Sequence, residues 1–347
     1  MAYISFQPSD YFNTLLYTDN GANRTLTGVG FQPDWVWIKT RNHGNSHNIF
    51  DAVRGANKNI RSNSTAAEVT TTDTLTAFTS DGFSLGVDAS GYGVNYDNKN
   101  EVSWNWKANG SGSANTDGSI SSTVSASTTS GFSIVKYTGG GANATVGHGL
   151  NSAPKMVIVK RLSGSGYQWM VYHKDVGNDK YLNLDDAGGE SGSSANYWNN
   201  TDPTSSVFSI GVDTAISGSG ADIIAYCFAE KKGFSKFGLY AGNANADGSF
   251  VYTGFKPAFI MIKKVGGASA SWVIFDSKRL GYNVANYQLY PNSTTSYGNN
   301  VLLDITSNGF KCRANHADVN GSGATYIFMA FAEEPLVSSN GVPAVAR

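Results

Sequence analysis

The sequence predicts an all-β protein made of three tandem antiparallel β-sandwich domains with a jelly-roll-like arrangement. Its 40 glycines, together with abundant Ser, Thr and Asn, favour many short strands joined by turns. No long stretch carries the i, i+3, i+4, i+7 apolar spacing of an amphipathic helix between capping residues. In addition, one series of sequence features occurs three times in the same order. Each occurrence is long enough to form a sandwich domain.

The repeated series begins at a proline that precedes an apolar run. Pro33, Pro154 and Pro257 occur in GFQPDWVWIK, APKMVIVK and GFKPAFIMIK, and a lysine lies six residues after each proline. A large aromatic residue follows the lysine after 11 or 12 residues. Then come a short strand pattern, a Phe with alternating neighbours, and an aromatic-rich closing run. Gly, Asn, Asp and Pro separate these runs, which is typical of an antiparallel sandwich rather than of βαβ units.

The repeats and the segments between them set the domain boundaries. We place copy 1 at residues 1–108, a Gly/Ser/Thr-rich linker at 109–130, copy 2 at 131–230, copy 3 at 231–334 and a C-terminal tail at 335–347. The linker has no aromatic residue, so we expect it to be flexible. Its SISSTVSAS centre alternates weakly, which leaves an edge strand as the alternative. Copies 2 and 3 are joined only by KKGFSK, so we expect them to form a fixed pair.

The apolar run after each proline predicts which strand faces are buried. Counted from the proline, positions three and five are β-branched in all copies: Val36 and Ile38, Val157 and Val159, Ile260 and Ile262. Alternate residues of a strand face opposite sides, so this uniform face is expected to pack in the sandwich core. The intervening residues vary in size but stay apolar, which predicts cover from a neighbouring domain or chain. We therefore assign Trp35 and Trp37 to inter-domain or inter-chain packing.

Two polar-aromatic segments are candidates for contact with a host-surface glycan or receptor. NYWNN at 196–200 and SYGNN at 296–300 lie at matched positions in copies 2 and 3. A flat ring stacks on the apolar face of a sugar while amides bond to its hydroxyl groups. The candidate residues are Tyr197, Trp198, Asn199, Tyr297 and Asn299. The alternative is that these rings pack between adjacent copies.

Sequence signatures of catalysis are mostly missing. The chain has no P-loop, no G-x-S-x-G and no H-E-x-x-H, so we predict no enzyme, no cofactor and no metal site. His43 and His47 lie four residues apart in a loop-like context, which favours polar loop residues over a metal pair. Asp51 and Asp276 follow a strand at matched positions, which favours side chains that bond to turn amides.

The net charge, the lack of long apolar runs and the two cysteines limit the classes of partner and the cell compartment that we expect. The formal net charge is −1, so nothing indicates nucleic acid or an anionic membrane as a partner. No apolar run reaches the roughly 18 residues of a membrane helix, so we expect no membrane insertion. MAYISFQPSDYF lacks the features of a secretory signal, so we expect synthesis in a cytoplasm. Cys227 and Cys312 lie in strand-like runs, which predicts buried free thiols.

The unit GFxPxxVxIK, WxIFD, TSDGFxLG and YIxxAFAE occurs with variations across all three copies. It resembles a repeat found in virion proteins of tailed bacteriophages, especially tail-fibre-like proteins of marine and cyanobacterial phages. The resemblance implies a structural component of the virion, made in the host cytoplasm, with other virion proteins as partners. It also implies a homo-oligomer, for which a trimer is favoured. The alternative is that the three joined copies form a pseudo-threefold unit by themselves.

The expected function is therefore a tail fibre or receptor-binding protein that contacts a glycan or a protein of the host surface. A head decoration or fibre, or a baseplate or tail connector with a purely structural role, is the main alternative. A glycan-degrading enzyme is the third, and it requires a cleft with two carboxylates roughly 5–10 Å apart.

Overall fold

The computed structural model describes residues 4–96, 98–280, 283–337 and 342–343. Over these ranges nearly all regular structure is β-strand, in antiparallel sheets, and the helices are short. The predicted all-β class is confirmed. Of the tail predicted at 335–347, residues 338–341 and 344–347 lie outside the described residues.

Copy 1 forms a larger and a smaller sheet. After a 3-10 turn at Pro8–Asp10, its strands are β1 (Phe12–Thr18), β2 (Arg24–Thr27), β3 (Trp35–Thr40), β4 (Asn48–Asp51), β5 (Lys58–Arg61), β6 (Val69–Thr70), β7 (Leu75–Thr79), β8 (Gly82–Leu85) and β9 (Asn100–Trp106). The larger sheet has the order β1-β9-β3-β4-β5-β6, and the smaller sheet has the order β2-β8-β7.

Copy 2 repeats this arrangement and gains two strands from the segment before it. The elements are β10 (Ser113–Asn115), β11 (Ser122–Ser127), β12 (Phe132–Thr138), β13 (Ala144–Gly147), β14 (Met156–Arg161), β15 (Met170–His173), β16 (Leu182–Asn183), α1 (Ala195–Trp198), β17 (Val207–Ile210), α2 (Thr214–Ser217) and β18 (Asp222–Phe228). The larger sheet has the order β10-β11-β12-β18-β14-β15-β16, and the smaller pairs β13 with β17.

Copy 3 has the same two sheets with fewer strands. Its strands are β19 (Ser235–Ala241), β20 (Phe250–Tyr252), β21 (Phe255–Val265), β22 (Val273–Asp276), β23 (Leu303–Thr306), β24 (Gly309–Cys312) and β25 (Thr325–Pro335). The larger sheet has the order β19-β25-β21-β22, and the smaller has the order β20-β24-β23.

The strand after each repeated proline occupies the same place in all three copies. It pairs with the closing aromatic strand in one register: Trp35 faces Trp106, Met156 faces Phe228, and Phe259 faces Phe331. The closing strand pairs on its other side with the opening strand β1, β12 or β19. The three repeats in the sequence are therefore three repeats of one strand topology.

The larger and smaller sheets of each copy enclose a hydrophobic core between them. In copy 1 this core contains Val36 and Ile38 from the larger sheet and Leu26 and Phe83 from the smaller sheet. The corresponding β-branched pairs of copies 2 and 3 lie in equivalent clusters. The uniform face of these strands is therefore buried, as predicted, in clusters that include residues of the smaller sheets. β-Branched side chains suit this position because they fill a pleated surface with little loss of rotamer freedom.

Residues 109–130 form paired strands and not the flexible linker that we expected. Strand β11 pairs along the whole edge of β12, and β10 pairs with β11, so the segment extends the larger sheet of copy 2. Val124 is buried in the core of copy 2, and Ile120 forms a bridge to Val146 of the smaller sheet. The weak alternation of SISSTVSAS is thus a strand pattern whose few apolar residues all pack inward.

A glycine in copy 2 makes room for this segment. A Cβ at Gly147 would lie 1.7 Å from Oδ1 of Asn115, and one at Gly118 would lie 2.4 Å from the carbonyl oxygen of Thr145. The equivalent of Gly147 in the third copy is Tyr252, whose side chain is 55% exposed. Copy 1 has Thr27 at this position, so copy 2 alone has a glycine where the segment crosses.

We predict that Gly147→Val releases the segment 109–130 from copy 2, because the new side chain occupies the place of Asn115. Limited proteolysis followed by mass spectrometry should cut the variant within this segment while the natural protein stays intact there. Gly140→Ala is the matched control, since no atom lies within 4 Å of a Cβ at Gly140. Rapid cleavage of the natural protein at 109–130 would contradict the paired strands.

Candidate functional site

The larger sheets of the three copies meet in one shared hydrophobic core. Trp35 lies 4.7 Å from Tyr226 and 5.6 Å from Phe132 of copy 2, measured between ring centroids. Phe259 of copy 3 lies 5.4 Å from Trp106 of copy 1. The shared cluster collects the size-variable faces of all three central strands. The three copies thus form a compact pseudo-threefold ring around an aromatic centre.

Trp35 and Trp37 lie at this centre and are each 1% exposed. The structure places them in packing between copies within one chain, where no ligand reaches them. A buried aromatic side chain removes about 150–250 Å² from water, worth about 4–6 kcal/mol before entropy costs at about 25 cal/mol per Å². Buried aromatic side chains from all three copies therefore stabilise the association of the copies around the centre.

The repeated lysines link the copies in one cyclic direction. Nζ of Lys39 donates to the Thr294 carbonyl of copy 3 at 3.2 Å. Nζ of Lys160 lies 3.5 Å from the Ser64 carbonyl of copy 1, and Nζ of Lys263 donates to the Ala187 carbonyl of copy 2 at 2.9 Å. Each ammonium group also donates to a carbonyl of its own copy: those of Thr40, Tyr167 and Ala270. Burial lowers the pKa of each lysine to about 8.

A row of tryptophan donors follows the same direction. Nε1 of Trp169 donates to the Arg61 carbonyl of copy 1 at 3.0 Å, and Nε1 of Trp272 donates to the Asn183 carbonyl of copy 2 at 2.8 Å. In copy 1 the equivalent position is His47, which is fully buried and accepts a hydrogen bond from Nε1 of Trp37 at Nδ1. Burial lowers the pKa of His47 well below its ordinary value, so the ring is neutral.

Two buried aspartates receive donors from the neighbouring copy. The Tyr226 hydroxyl donates to Oδ2 of Asp51 at 2.7 Å, and Nε1 of Trp104 donates to Oδ2 of Asp276 at 3.0 Å. Each aspartate also pairs with an arginine three residues later, Arg54 or Arg279, at 2.5 Å. Their other oxygen accepts backbone N–H groups of the turn, which confirms the predicted turn role.

The third interface lacks all of these polar groups at once. His173 stands where the other copies have aspartate, Val176 stands where they have arginine, and Met329 of copy 3 stands where they have an aromatic donor. Burial lowers the pKa of His173 to about 4, so it is neutral at pH 7. A buried carboxylate without its cation and donor is costly. The loss of the aspartate is therefore matched by the loss of both groups that would compensate its charge, the arginine and the aromatic donor.

The segment 196–200 is partly a packing element. Trp198 is 2% exposed, its Nε1 donates to the Lys180 carbonyl, and its ring packs against Tyr172. It is therefore covered, and its assignment to glycan contact is wrong. Tyr197 is half-buried and stacks on Tyr181 with centroids 3.8 Å apart. Asn199 ends helix α1 in the left-handed conformation and accepts a hydrogen bond from Asn143.

The segment 296–300 lies where copy 3 meets copy 1. Tyr297 packs against the shared core and against Tyr287, and its backbone N–H donates to the Arg41 carbonyl of copy 1. Asn299 is exposed and accepts a hydrogen bond from Asn286. Tyr297 therefore packs between copies, as the alternative predicts, whereas Tyr197 and Trp198 pack on rings of their own copy.

The histidines and carboxylates of the described part of the chain do not gather into a group that could hold a metal. His43 is exposed and bonded to Asn45, whereas His47 is buried, so the two do not converge. No group of three or more His, Cys, Asp and Glu side chains within the described ranges is placed to hold a metal. Asp19 and Glu101 are 2% and 0% exposed, and burial raises the pKa of both, so neither faces solvent.

Both cysteines are buried and free, as predicted. Among the residues that the structure describes, no helix is long and apolar enough to cross a membrane.

The outer surfaces of the three copies differ in chemistry. Copy 1 carries an open cleft lined by Arg24, Asp73 and several Thr and Ser side chains. The outer sheet of copy 2 is crossed by the segment that contains Ser119. Copy 3 exposes Phe250 and Tyr252, which are 50% and 55% exposed and lie two residues apart on one strand face. Equivalent positions have thus diverged while the shared core stayed apolar.

Sequence reasoning missed the role of the repeated lysines. Their constant distance of six residues from the proline was visible in the sequence. Their neighbours are backbone carbonyls of another copy, which no residue pattern encodes.

A family model described as a domain of unknown function (DUF7483) matches residues 7–335. No curated protein matches the sequence.

We predict that Tyr226→Phe lowers the free energy of unfolding by about 1–3 kcal/mol, because a buried hydrogen bond to a charged group is lost between copies. Urea unfolding measures the change. Tyr172→Phe is the control, since its hydroxyl donates to Asp202, an exposed residue of the same copy that water can solvate. Equal losses in the two variants would show that the contact between copies adds nothing.

Proposed function

The chain belongs to the DUF7483 family over nearly its whole length, and we propose that it is a structural bacteriophage virion protein that contacts the host surface as a tail fibre or receptor-binding protein. The proposal rests on the resemblance of its repeats to tail-fibre-like virion proteins. The carrying observation from the molecule is that the three copies cover their apolar faces within one chain. Their polar outer sheets and loops are therefore left for contacts with other molecules.

The pseudo-threefold ring bears on the oligomeric state in the proposal. A homotrimer remains the general expectation for a fibre. The shared core supports the alternative in which one chain supplies all three positions of a threefold unit, because the large apolar faces that an obligate trimer buries are already covered. In the proposal, a single chain is the functional unit, and other virion proteins position it.

A second candidate function is a connector or decoration protein within the virion. It is favoured by copy 3, where Phe250, Tyr252 and Leu239 are each at least half exposed. Aromatic residues are enriched in protein interfaces. In this candidate function, strands β19 and β20 contact other virion proteins, which bury the three exposed side chains.

Antibodies against the purified protein test both candidates on the phage that encodes it. We expect immunogold labelling of the tail and slower adsorption of the phage to its host, because the labelled surface contacts the cell. Labelling with unchanged adsorption would favour the connector. Absence of the protein from purified virions by mass spectrometry would contradict both.

A further inference from the structure

An open cleft of about 510 Å³ lies where loops of copy 1 meet copy 3. We propose that this cleft binds an anionic saccharide, a sugar that carries a carboxylate or sulfate group. The inference rests on the proposed role in host contact, and it names the ligand class and the residues. The lining residues are His43, Gly44, Asn45, Ser46, Arg61, Ser90, Gly91, Tyr92 and Thr294.

Arg61 supplies the positive charge. It ends strand β5, is half-buried, and its guanidinium has no hydrogen bond or ion pair with any described residue. Two other arginines of this copy are already engaged: Arg54 pairs with Asp51 and Glu68, and Arg24 bonds to the Thr18 carbonyl. Arg41 does not line this cleft. A planar guanidinium matches carboxylate and sulfate oxygens in a two-bond geometry.

The lining of the cleft contains no carboxylate. An anion that enters therefore meets an unpaired arginine and the imidazole of His43 without a competing negative charge. The cleft near Arg24 provides a contrast within the same copy, because Asp73 lines it beside the arginine and no aromatic residue does. Charge complementarity thus selects the first cleft for an anionic ligand and leaves the second as its control.

Tyr92 supplies an aromatic ring on a rigid loop. The buried carboxylate of Asp88 accepts the backbone N–H groups of Tyr92, Gly93 and Val94 at 2.8–2.9 Å. The Tyr92 carbonyl accepts a hydrogen bond from Asn48. A Cβ at Gly93 would lie 2.4 Å from Nδ2 of Asn45, so this loop and the loop of Asn45 pack directly together. The backbone that carries the Tyr92 ring is therefore fixed, so the ring offers a stacking face with a small cost in loop entropy on binding.

The remaining groups suit the hydroxyls of a sugar ring. Asn45 and Ser46 contribute an amide and a hydroxyl, and Thr294 adds an exposed hydroxyl from copy 3. The carbonyl of Thr294 is the acceptor for Lys39, so the same contact that closes the ring between copies 1 and 3 fixes the wall of the cleft. A saccharide is favoured over a bare anion because an inorganic sulfate would contact neither the aromatic face nor most of the neutral hydrogen-bonding groups.

The test is titration calorimetry of the full chain with a heparin-derived tetrasaccharide and a polygalacturonate-derived tetrasaccharide, with maltotetraose as the uncharged ligand. We expect at least one anionic tetrasaccharide to bind, its affinity to fall at higher salt, and maltotetraose to bind at least tenfold more weakly. Arg61→Gln and Tyr92→Ala should each lower the affinity at least tenfold. Arg24→Gln, the matched arginine of the other cleft, should leave it unchanged.

Three results would overturn the proposal: no binding of either anionic tetrasaccharide, binding that Arg61→Gln leaves unchanged, or equal affinity for inorganic sulfate. Arg61→Gln keeps the backbone carbonyl that accepts Trp169, and circular dichroism verifies that each variant is folded. Failure here is separable from failure of the proposed function. If antibodies block phage adsorption but the protein binds no saccharide, only the saccharide-binding proposal is contradicted. If the protein binds a saccharide but is absent from virions, only the proposed virion function is contradicted.

Discussion

Each larger sheet of this molecule has two apolar faces, and only one of them is covered by the smaller sheet of its own copy. The second face, which carries Trp35 in copy 1 and Phe259 in copy 3, must be covered by something else. The three copies solve this by covering one another. The shared core therefore makes the whole chain one unit, and the positions of the surface loops follow from it.

Directional hydrogen bonds set the order of the copies around that core. Apolar packing is tolerant of rotation and exchange, whereas a buried lysine must reach a particular carbonyl. The lysine contacts run from copy 1 to 3, from 3 to 2 and from 2 to 1. The tryptophan and aspartate contacts follow the same direction at two interfaces each. Where the aspartate contact is absent, between Met329 and His173, the arginine that pairs with the aspartate is replaced as well, by Val176. The ring keeps polar groups only where both partners are present.

The sequence predicted the β class, the repeats and the two faces of the central strands. These features are visible in the sequence because alternate residues of a strand face opposite sides and differ in type. At 109–130 the expected flexible linker is wrong, and the strand that the sequence left as the alternative is found. A few inward-facing residues such as Val124 decide the structure there against a polar background. It also misassigned Trp198, since an aromatic residue among amides looks the same whether its ring is exposed or packed on Tyr172. The cleft at Arg61 was beyond prediction because its walls come from loops far apart in the chain.

The closed ring is tested most directly by small-angle X-ray scattering of the purified chain. A single compact unit of this length should have a radius of gyration of about 20 Å and a symmetric distance distribution. Three sandwiches joined in a row, with their second faces uncovered, would give an elongated particle with a radius of gyration of about 30 Å or more. The second result would contradict the shared core.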